Sequence, residues 1–316
     1  MLRHFPGLCA FYLLMGTTSM LLPGFSSAVE TPVFDGNRAM ELLVEQVEIG
    51  PRTPGSQGNL LLRNIIMGKA RQGNLRVASH IFESNMPMGN SPVELCNIIV
   101  SAGPEGSAAG LRLWLGAHFD TRPICDRDPD PDLQSEPLVG ANDGASGVAV
   151  LLHLMELLAE NPPKVGVDLI FFDGEDSGIS GDPGTYCIGS QRLASTLGDF
   201  DNPLSGVNCE GLILLDMIGD RDLFIPMEGY SIRNAPQFTQ KVFTRALDLG
   251  LPAFSMTPGP SVFDDHVPFL QQGIPAVDLI DFNFPHWHTT SDTPDACSPA
   301  SLQQVGRLVT DLVYNR

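Results

Sequence analysis

The strongest constraint on the fold is an alternation. Short apolar, β-branched segments take turns with stretches of helical periodicity along most of the chain. Leu75–Phe82, Asn97–Ala102, Leu111–Ala117, Val165–Phe172, Leu212–Ile218 and Ile274–Ile280 read as strands. Asn37–Val47, Gly58–Lys69, Ser190–Leu197, Ala235–Leu249, His266–Gln272 and Ser301–Val313 read as helices. The clearest helix is Gly144–Leu158, where Val148, Leu151, Leu152, Met155 and Leu158 recur at helical spacing. Strands alternating with helices predict an α/β three-layer sandwich, a mostly parallel central sheet flanked by helices. No repeat, low-complexity tract or linker interrupts the pattern, so residues 29–316 are expected to form a single domain. The loop Asp126–Pro137, rich in Asp and Pro, reads as too polar to sit in a core.

The N-terminus sets the expected compartment. Arg3 and His4 precede an apolar run from about Leu8 to Leu22, and the small residues Ser26, Ser27 and Ala28 precede the acidic Glu30. This layout predicts a secretory signal peptide over residues 1–28, cleaved after Ala28; the rival is an uncleaved N-terminal anchor. The chain is then exported, to a periplasm or the extracellular space, with no stable membrane association after cleavage. Formal net charge is −19. Such a surface argues against nucleic acid and anionic membranes, and mildly favours substrates carrying a free amino group. Beyond Cys9 the chain holds Cys96, Cys125, Cys187, Cys209 and Cys297, none in CxxC spacing, so a cysteine zinc site is not expected. One or two disulfides are compatible with an oxidising compartment, without a readable pairing.

Chemistry-bearing residues gather where the strands end. His118 and Asp120 follow one strand, Glu175 and Asp176 another, and Asp216 closes a third. Asp264, Asp265 and His266 precede a short helix, Asp143 opens the long one, and His288 lies beyond the last strand. In open α/β sheets the ligand crevice lies at the carboxyl ends of the strands. Taken singly these residues have plain readings: Asp143 as a helix N-cap, His288 beside Trp287 as a packed surface residue, Asp173-Gly174 as a turn. Taken together, so many carboxylates need a cation between them. Mixed imidazole and carboxylate donors without thiolate suit zinc in a catalytic site. Glu175 and Asp176 are adjacent, so on an extended backbone one can ligate while the other faces substrate as a proton shuttle.

Gly116-Ala117-His118-Phe119-Asp120, Gly140-Ala141-Asn142-Asp143-Gly144-Ala145-Ser146-Gly147, Phe171-Phe172-Asp173-Gly174-Glu175-Asp176 and Leu215-Asp216-Met217-Ile218-Gly219 resemble the superfamily of zinc aminopeptidases and glutaminyl cyclases. Asp264-Asp265-His266-Val267-Pro268-Phe269 and Trp287-His288-Thr289 extend the likeness. The resemblance implies a zinc-dependent catalytic domain acting on peptide or protein N-termini. Its zinc ligands would be Asp143, Asp176 and His288, with Glu175 as general base and acid. In the two-zinc aminopeptidases the counterparts of His118 and Asp216 hold a second metal and that of Asp143 bridges. Glutaminyl cyclases use one zinc, and their counterparts of Asp216 and Asp264 form a carboxylate network around the shuttle glutamate. The acid at Asp264, in place of a serine common in aminopeptidases, and Trp287 as a pocket wall lean toward cyclisation of N-terminal Gln to pyroglutamate with release of ammonia. Three departures from the animal cyclases stand out: Asp176 in place of a glutamate, Asp278 in place of a histidine, and no tryptophan after the Glu175 loop.

The alternative is a two-zinc aminopeptidase that cleaves the first peptide bond. A non-catalytic binding or metal-storage protein on the same fold would be expected to have lost a ligand or the shuttle acid, and Glu175 is present. A serine hydrolase is disfavoured because Gly144-Ala145-Ser146-Gly147 lacks the Gly-x-Ser-x-Gly elbow; Ser146 reads instead as first-turn packing.

Overall fold

The fold comes from a computed structural model that describes residues 31–88, 92–105 and 110–315, together with 1, 2, 4 and 7. The expected signal peptide over 1–28 therefore lies almost wholly outside the described residues. Thr31–Arg316 form one compact unit.

In chain order this unit runs α1 (Gly36–Val47), α2 (Gln57–Gln72), β1 (Arg76–Asn85), β2 (Pro92–Ala102), β3 (Arg112–His118), α3 (Ser146–Glu160), β4 (Val167–Phe172) and α4 (Ile188–Ser195). It continues with β5 (Cys209–Asp216), β6 (Ile225–Met227), α5 (Gly229–Asn234), α6 (Pro236–Asp248), β7 (Phe254–Pro258), α7 (Val267–Gln271), β8 (Ala276–Ile280) and α8 (Pro299–Tyr314). The helix starts follow local chemistry. The Asp35 carboxylate accepts from the backbone N–H of Asn37 and Arg38 at α1, and the Ser56 and Ser298 hydroxyls do the same for α2 and α8. Pro236 and Pro299 open α6 and α8, where a missing N–H costs nothing.

Six strands form the main sheet in the order β1-β2-β4-β3-β5-β8. β2 is antiparallel to both of its neighbours, whereas β4-β3-β5-β8 pair in parallel, so β2 alone runs against the rest. The mostly parallel sheet expected from sequence is thus present. Its central strands are buried on both faces, as parallel strands between helical layers must be. Period-2 alternation distributes their side chains. Leu113, Leu115 and Ala117 of β3 join Leu169, Ile213 and Val277 in the larger core, beneath α1, α3, α6 and α8. Trp114, Ile170, Leu212 and Ala276 face the other way, toward Leu193 of α4 and Phe269 of α7. The three layers are complete.

Differences from the sequence reading are local. The stretch read as one helix from Ala235 begins at Pro236, and a separate short helix, α5, precedes it under a Glu228 cap. The two-stranded sheet of β6 and β7 was invisible, because three- and five-residue strands carry too little periodicity. Disulfides are a correction: Cys96, Cys125, Cys187 and Cys297 are buried free thiols, so no pair forms among them. The loop from Asp126 is a second correction, since Asp128 is buried and Asp126 half-buried while residues 129–137 stay exposed.

Candidate metal centre

The carboxyl ends of β3, β4 and β5 bring His118, Glu175–Asp176 and Asp216 to one rim of the sheet, and Asp143 enters from the turn before α3. Asp143 is not an N-cap: the cap of α3 is Ala145, without a side-chain bond. Its carboxylate stands between two imidazoles instead. His118 Nε2 lies 3.3 Å from Asp143 Oδ1 and 3.1 Å from Asp216 Oδ1. His288 Nε2 lies 3.7 Å from Asp143 Oδ2 and 3.2 Å from Asp176 Oδ1. Two overlapping triads follow, Asp143–Asp176–His288 and His118–Asp143–Asp216, each with its donor atoms within 4.8 Å of one another and all buried.

This donor set fits a divalent metal. Asp143 Oδ2 and Asp176 Oδ2 are buried without a hydrogen-bond partner, a costly condition unless a cation takes them up. The supporting shell resembles that of a metal site. Asp126 Oδ1 lies 3.1 Å from His288 Nδ1, which turns Nε2 inward, and the Asp120 carbonyl does the same for His118 Nδ1 at 3.2 Å. Arg122 spans the group, bidentate to Asp126 at 2.8 Å and 3.1 Å from Asp176 Oδ1. Backbone strain marks the spot as well: His288 (φ 57°) and Met217 (φ 45°), next to Asp216, sit in the left-handed region, which costs about 1–3 kcal/mol each for a non-glycine residue.

The Glu175–Asp176 pair diverges as its adjacency predicts. The Asp120 carboxylate accepts from both backbone N–H groups, at 3.0 and 3.2 Å, and so fixes the turn. Asp176 points to His288, whereas Glu175 points toward the Cys187 thiol (3.4 Å from Oε1) and groups with Asp264. Cys187 holds a left-handed φ of 58° to reach this position. Burial, reinforced by Asp176, Asp264 and Asp265, raises Glu175 well above the usual carboxylate range. Burial likewise raises Asp264 well above the usual range, with the charges of Asp216 and Asp265 adding to it, and raises Asp216, with Asp143 and Asp176 adding to it against the opposing His118. Burial opposes the charged form of His288, but the Asp176 charge and the Asp126 hydrogen bond outweigh it and lift the imidazole to about 9.

Every candidate residue meets here. A pocket of about 220 Å³ is lined by Asp143, Asp176 and His288 on its metal side, Glu175 and Asp264 on its acid side, and Trp287 as one wall. Asp216 also lines it, while His118 sits behind. The Trp287 ring stands 4.1 Å from that of His288 and 4.8 Å from Phe282. The sequence reading missed Arg122, Asp126 and Asp292 as parts of the site. Asp292 accepts from the backbone N–H of Asn142 and Asp143 at 2.7 and 3.1 Å and so anchors the Asp143 turn. Its position four residues after His288 was the available signal.

The profile of peptidase family M28 matches residues 97–313, most of the chain. The chain belongs to that family. Among solved structures, a glutaminyl cyclase from Bacteroides thetaiotaomicron superposes with a TM-score of 0.84 at 33% identity, covering 90% of this chain and 99% of that one. A leucine aminopeptidase precursor from the same organism is as similar, with TM-score 0.84, 34% identity, and 91% and 99% coverage. A curated relative, the glutaminyl-peptide cyclotransferase of Gloydius blomhoffii, is 28% identical over 290 residues, spanning 82% of this chain and 75% of its own. Both activities weighed from sequence are therefore represented among the chain's relatives. Among the described residues no helix is long and apolar enough to cross a membrane.

Proposed function

We propose that this M28 protein is a zinc-dependent glutaminyl-peptide cyclotransferase, converting an N-terminal glutamine to pyroglutamate with release of ammonia. One observation carries the reading. Glu175 is turned away from the ligand triad into a buried acid network with Asp264, where burial and the neighbouring acids raise its proton affinity, and this shuttle faces a pocket walled by Trp287. Asp143, Asp176 and His288 would hold one zinc, which when bound supplies Lewis acidity toward the side-chain amide carbonyl.

The chain's own residues do the rest. The pocket's acidic lining attracts the N-terminal amino group, which enters the reaction as the neutral amine, and Trp287 walls the glutamine side chain. Glu175 accepts a proton as the α-amine nitrogen bonds to the side-chain amide carbon. It returns that proton to the departing nitrogen, the C–N bond breaks, and ammonia leaves. Burial first, and then the charges of Asp176, Asp264 and Asp265, raise the proton affinity of Glu175 for both halves of the transfer, while Asp216 adds to the acid network by raising Asp264.

A second reading has its own support. His118, Asp143 and Asp216 form an intact second triad, so a two-zinc aminopeptidase remains chemically complete. Mass spectrometry of the zinc-loaded protein with one Gln-initiated and one Leu-initiated peptide separates the two. Loss of ammonia from the Gln peptide alone is expected; release of the whole first residue from either peptide would select the aminopeptidase. On the same reading the chain is exported and cleaved after Ala28, which N-terminal sequencing of the secreted protein tests.

A further inference from the structure

The pocket lining contains one arginine and no lysine. Among the described residues that line the cavity, Arg127 is the lone residue of this kind, set against Asp143, Glu175, Asp176, Asp216 and Asp264. Its side chain is exposed at the mouth, yet it is placed firmly. The backbone N–H donates to the His288 carbonyl at 3.2 Å, and the guanidinium lies over the Trp287 ring, 4.3 Å from its centroid. Neighbouring carboxylates are committed elsewhere. Asp126 pairs with Arg122 and His288, and Asp128 accepts from the N–H and hydroxyl of Thr290. Among the described residues no carboxylate lies within ion-pair distance of Arg127. Stacking on an aromatic face leaves the edge of a guanidinium, with its fork of N–H donors, free to bind an anion.

Position then fixes which anion. The N-terminal residue must occupy the floor, between His288 and Glu175 and against Trp287. On that reading the chain leaves on the side of the ring where Arg127 lies, and one residue of extended backbone advances it by about 3.3–3.6 Å. The second residue of the substrate therefore passes the Arg127 guanidinium. We infer that Arg127 is a specificity residue that favours peptides bearing a carboxylate one residue beyond the N-terminal one, and disfavours a cationic residue there. This rests on the reading of the pocket as a site for peptide N-termini. The same stacking could serve merely to brace Trp287, and that role would be blind to charge on the substrate.

The test compares kcat/KM for three C-terminally amidated peptides, Gln-Glu-Phe, Gln-Ala-Phe and Gln-Lys-Phe, on the zinc-loaded full chain. The Glu peptide is expected to exceed the Lys peptide by about two- to fivefold, the scale of one exposed ion pair. In Arg127→Gln that ratio falls to about one, and in Arg127→Glu it inverts. Arg127→Lys, which keeps the charge and weakens the stacking, preserves the ratio. A Glu-to-Lys ratio unchanged in both Arg127→Gln and Arg127→Glu overturns the inference while leaving cyclisation intact. If the product is instead a released first residue, the cyclase reading fails, and the ratio is read on that product.

Discussion

At the scale of single residues, two neighbours do different work because one buried carboxylate holds the backbone beneath both. Asp120 clamps the N–H groups of Glu175 and Asp176, and their side chains part, one to His288 and one toward Asp264. Glu175→Gln keeps the shape and removes the proton acceptor. Turnover should fall about 10²- to 10⁴-fold with zinc content unchanged, measured by product mass spectrometry beside metal analysis. His118 tests the metal count. Under the cyclase reading His118→Ala leaves the bound zinc of the purified protein unaltered, because His118 is outside the Asp143–Asp176–His288 triad. A halving of bound zinc would instead assign the second triad to a metal.

At the scale of elements, the site depends on how closely α3 and β3 are set into the sheet. A Cβ at Gly147, in the first turn of α3, would stand 2.2 Å from the Leu215 carbonyl oxygen and 2.9 Å from Ala117 Cβ. Gly147→Ala should therefore push the helix start off the sheet and cost about 1–3 kcal/mol of stability in chemical denaturation, with Asp143 displaced as a consequence. Ser146 works at the same junction, donating to the Asn142 carbonyl at 2.6 Å and accepting from Ile218 N–H at 3.1 Å, so it ties α3 to the end of β5. At the opposite end of the sheet, Arg112 of β3 and Asp168 of β4 form a buried bidentate pair with contacts of 2.6 and 2.7 Å. Asp168→Asn breaks this pair and leaves a buried guanidinium short of its counter-charge. A loss of about 3–5 kcal/mol is expected in the same assay, with the active site at the far rim unaffected in its peptide preference.

At the scale of the whole molecule, a net charge of −19 and a cluster of buried carboxylates predict that a bound cation stabilises the fold. Burial lifts Asp120 to about 6, and lifts Asp173 and Asp265 to about 7, from an ordinary value of 3.8. For a carboxylate raised in the folded state, the unfolded chain ionises first as pH climbs past 3.8. The metal-free fold then loses stability progressively until each folded value is passed. Chelation should therefore lower Tm more at pH 8 than at pH 5, with a divalent ion restoring it; equal losses at the two values would refute the account. Glu228 works in the opposite sense. Burial disfavours its charge, but the hydrogen bond and charge of His266 prevail and hold it at about 2. Its contribution is present above 4.5 and fades as pH falls toward 2, so the loaded protein should also weaken in acid.

What the chain's pattern determined by itself was the framework. Apolar, β-branched segments located the strands, and the His118, Glu175–Asp176 and Asp216 that follow or close three of them had to converge because parallel strands share one rim. Asp143, Asp176, His288, Glu175, Asp216 and Asp264 were legible for that reason, and adjacency alone foretold the split between Glu175 and Asp176. The tertiary structure decided what reaches this rim from loops. Asp126 comes from a segment whose composition reads as solvent-exposed, and it orients His288 across 162 residues of chain. Asp292 braces Asp143 across 149. Arg127 lies over Trp287 from a further turn of that same loop. Such contacts have no period and no fixed spacing. Loop residues are placed by the packing of whatever they cross, so the hydrogen-bond partners of a ligand, and Arg127 at the pocket mouth, emerge only once the sheet and its covering helices have fixed where each loop must run.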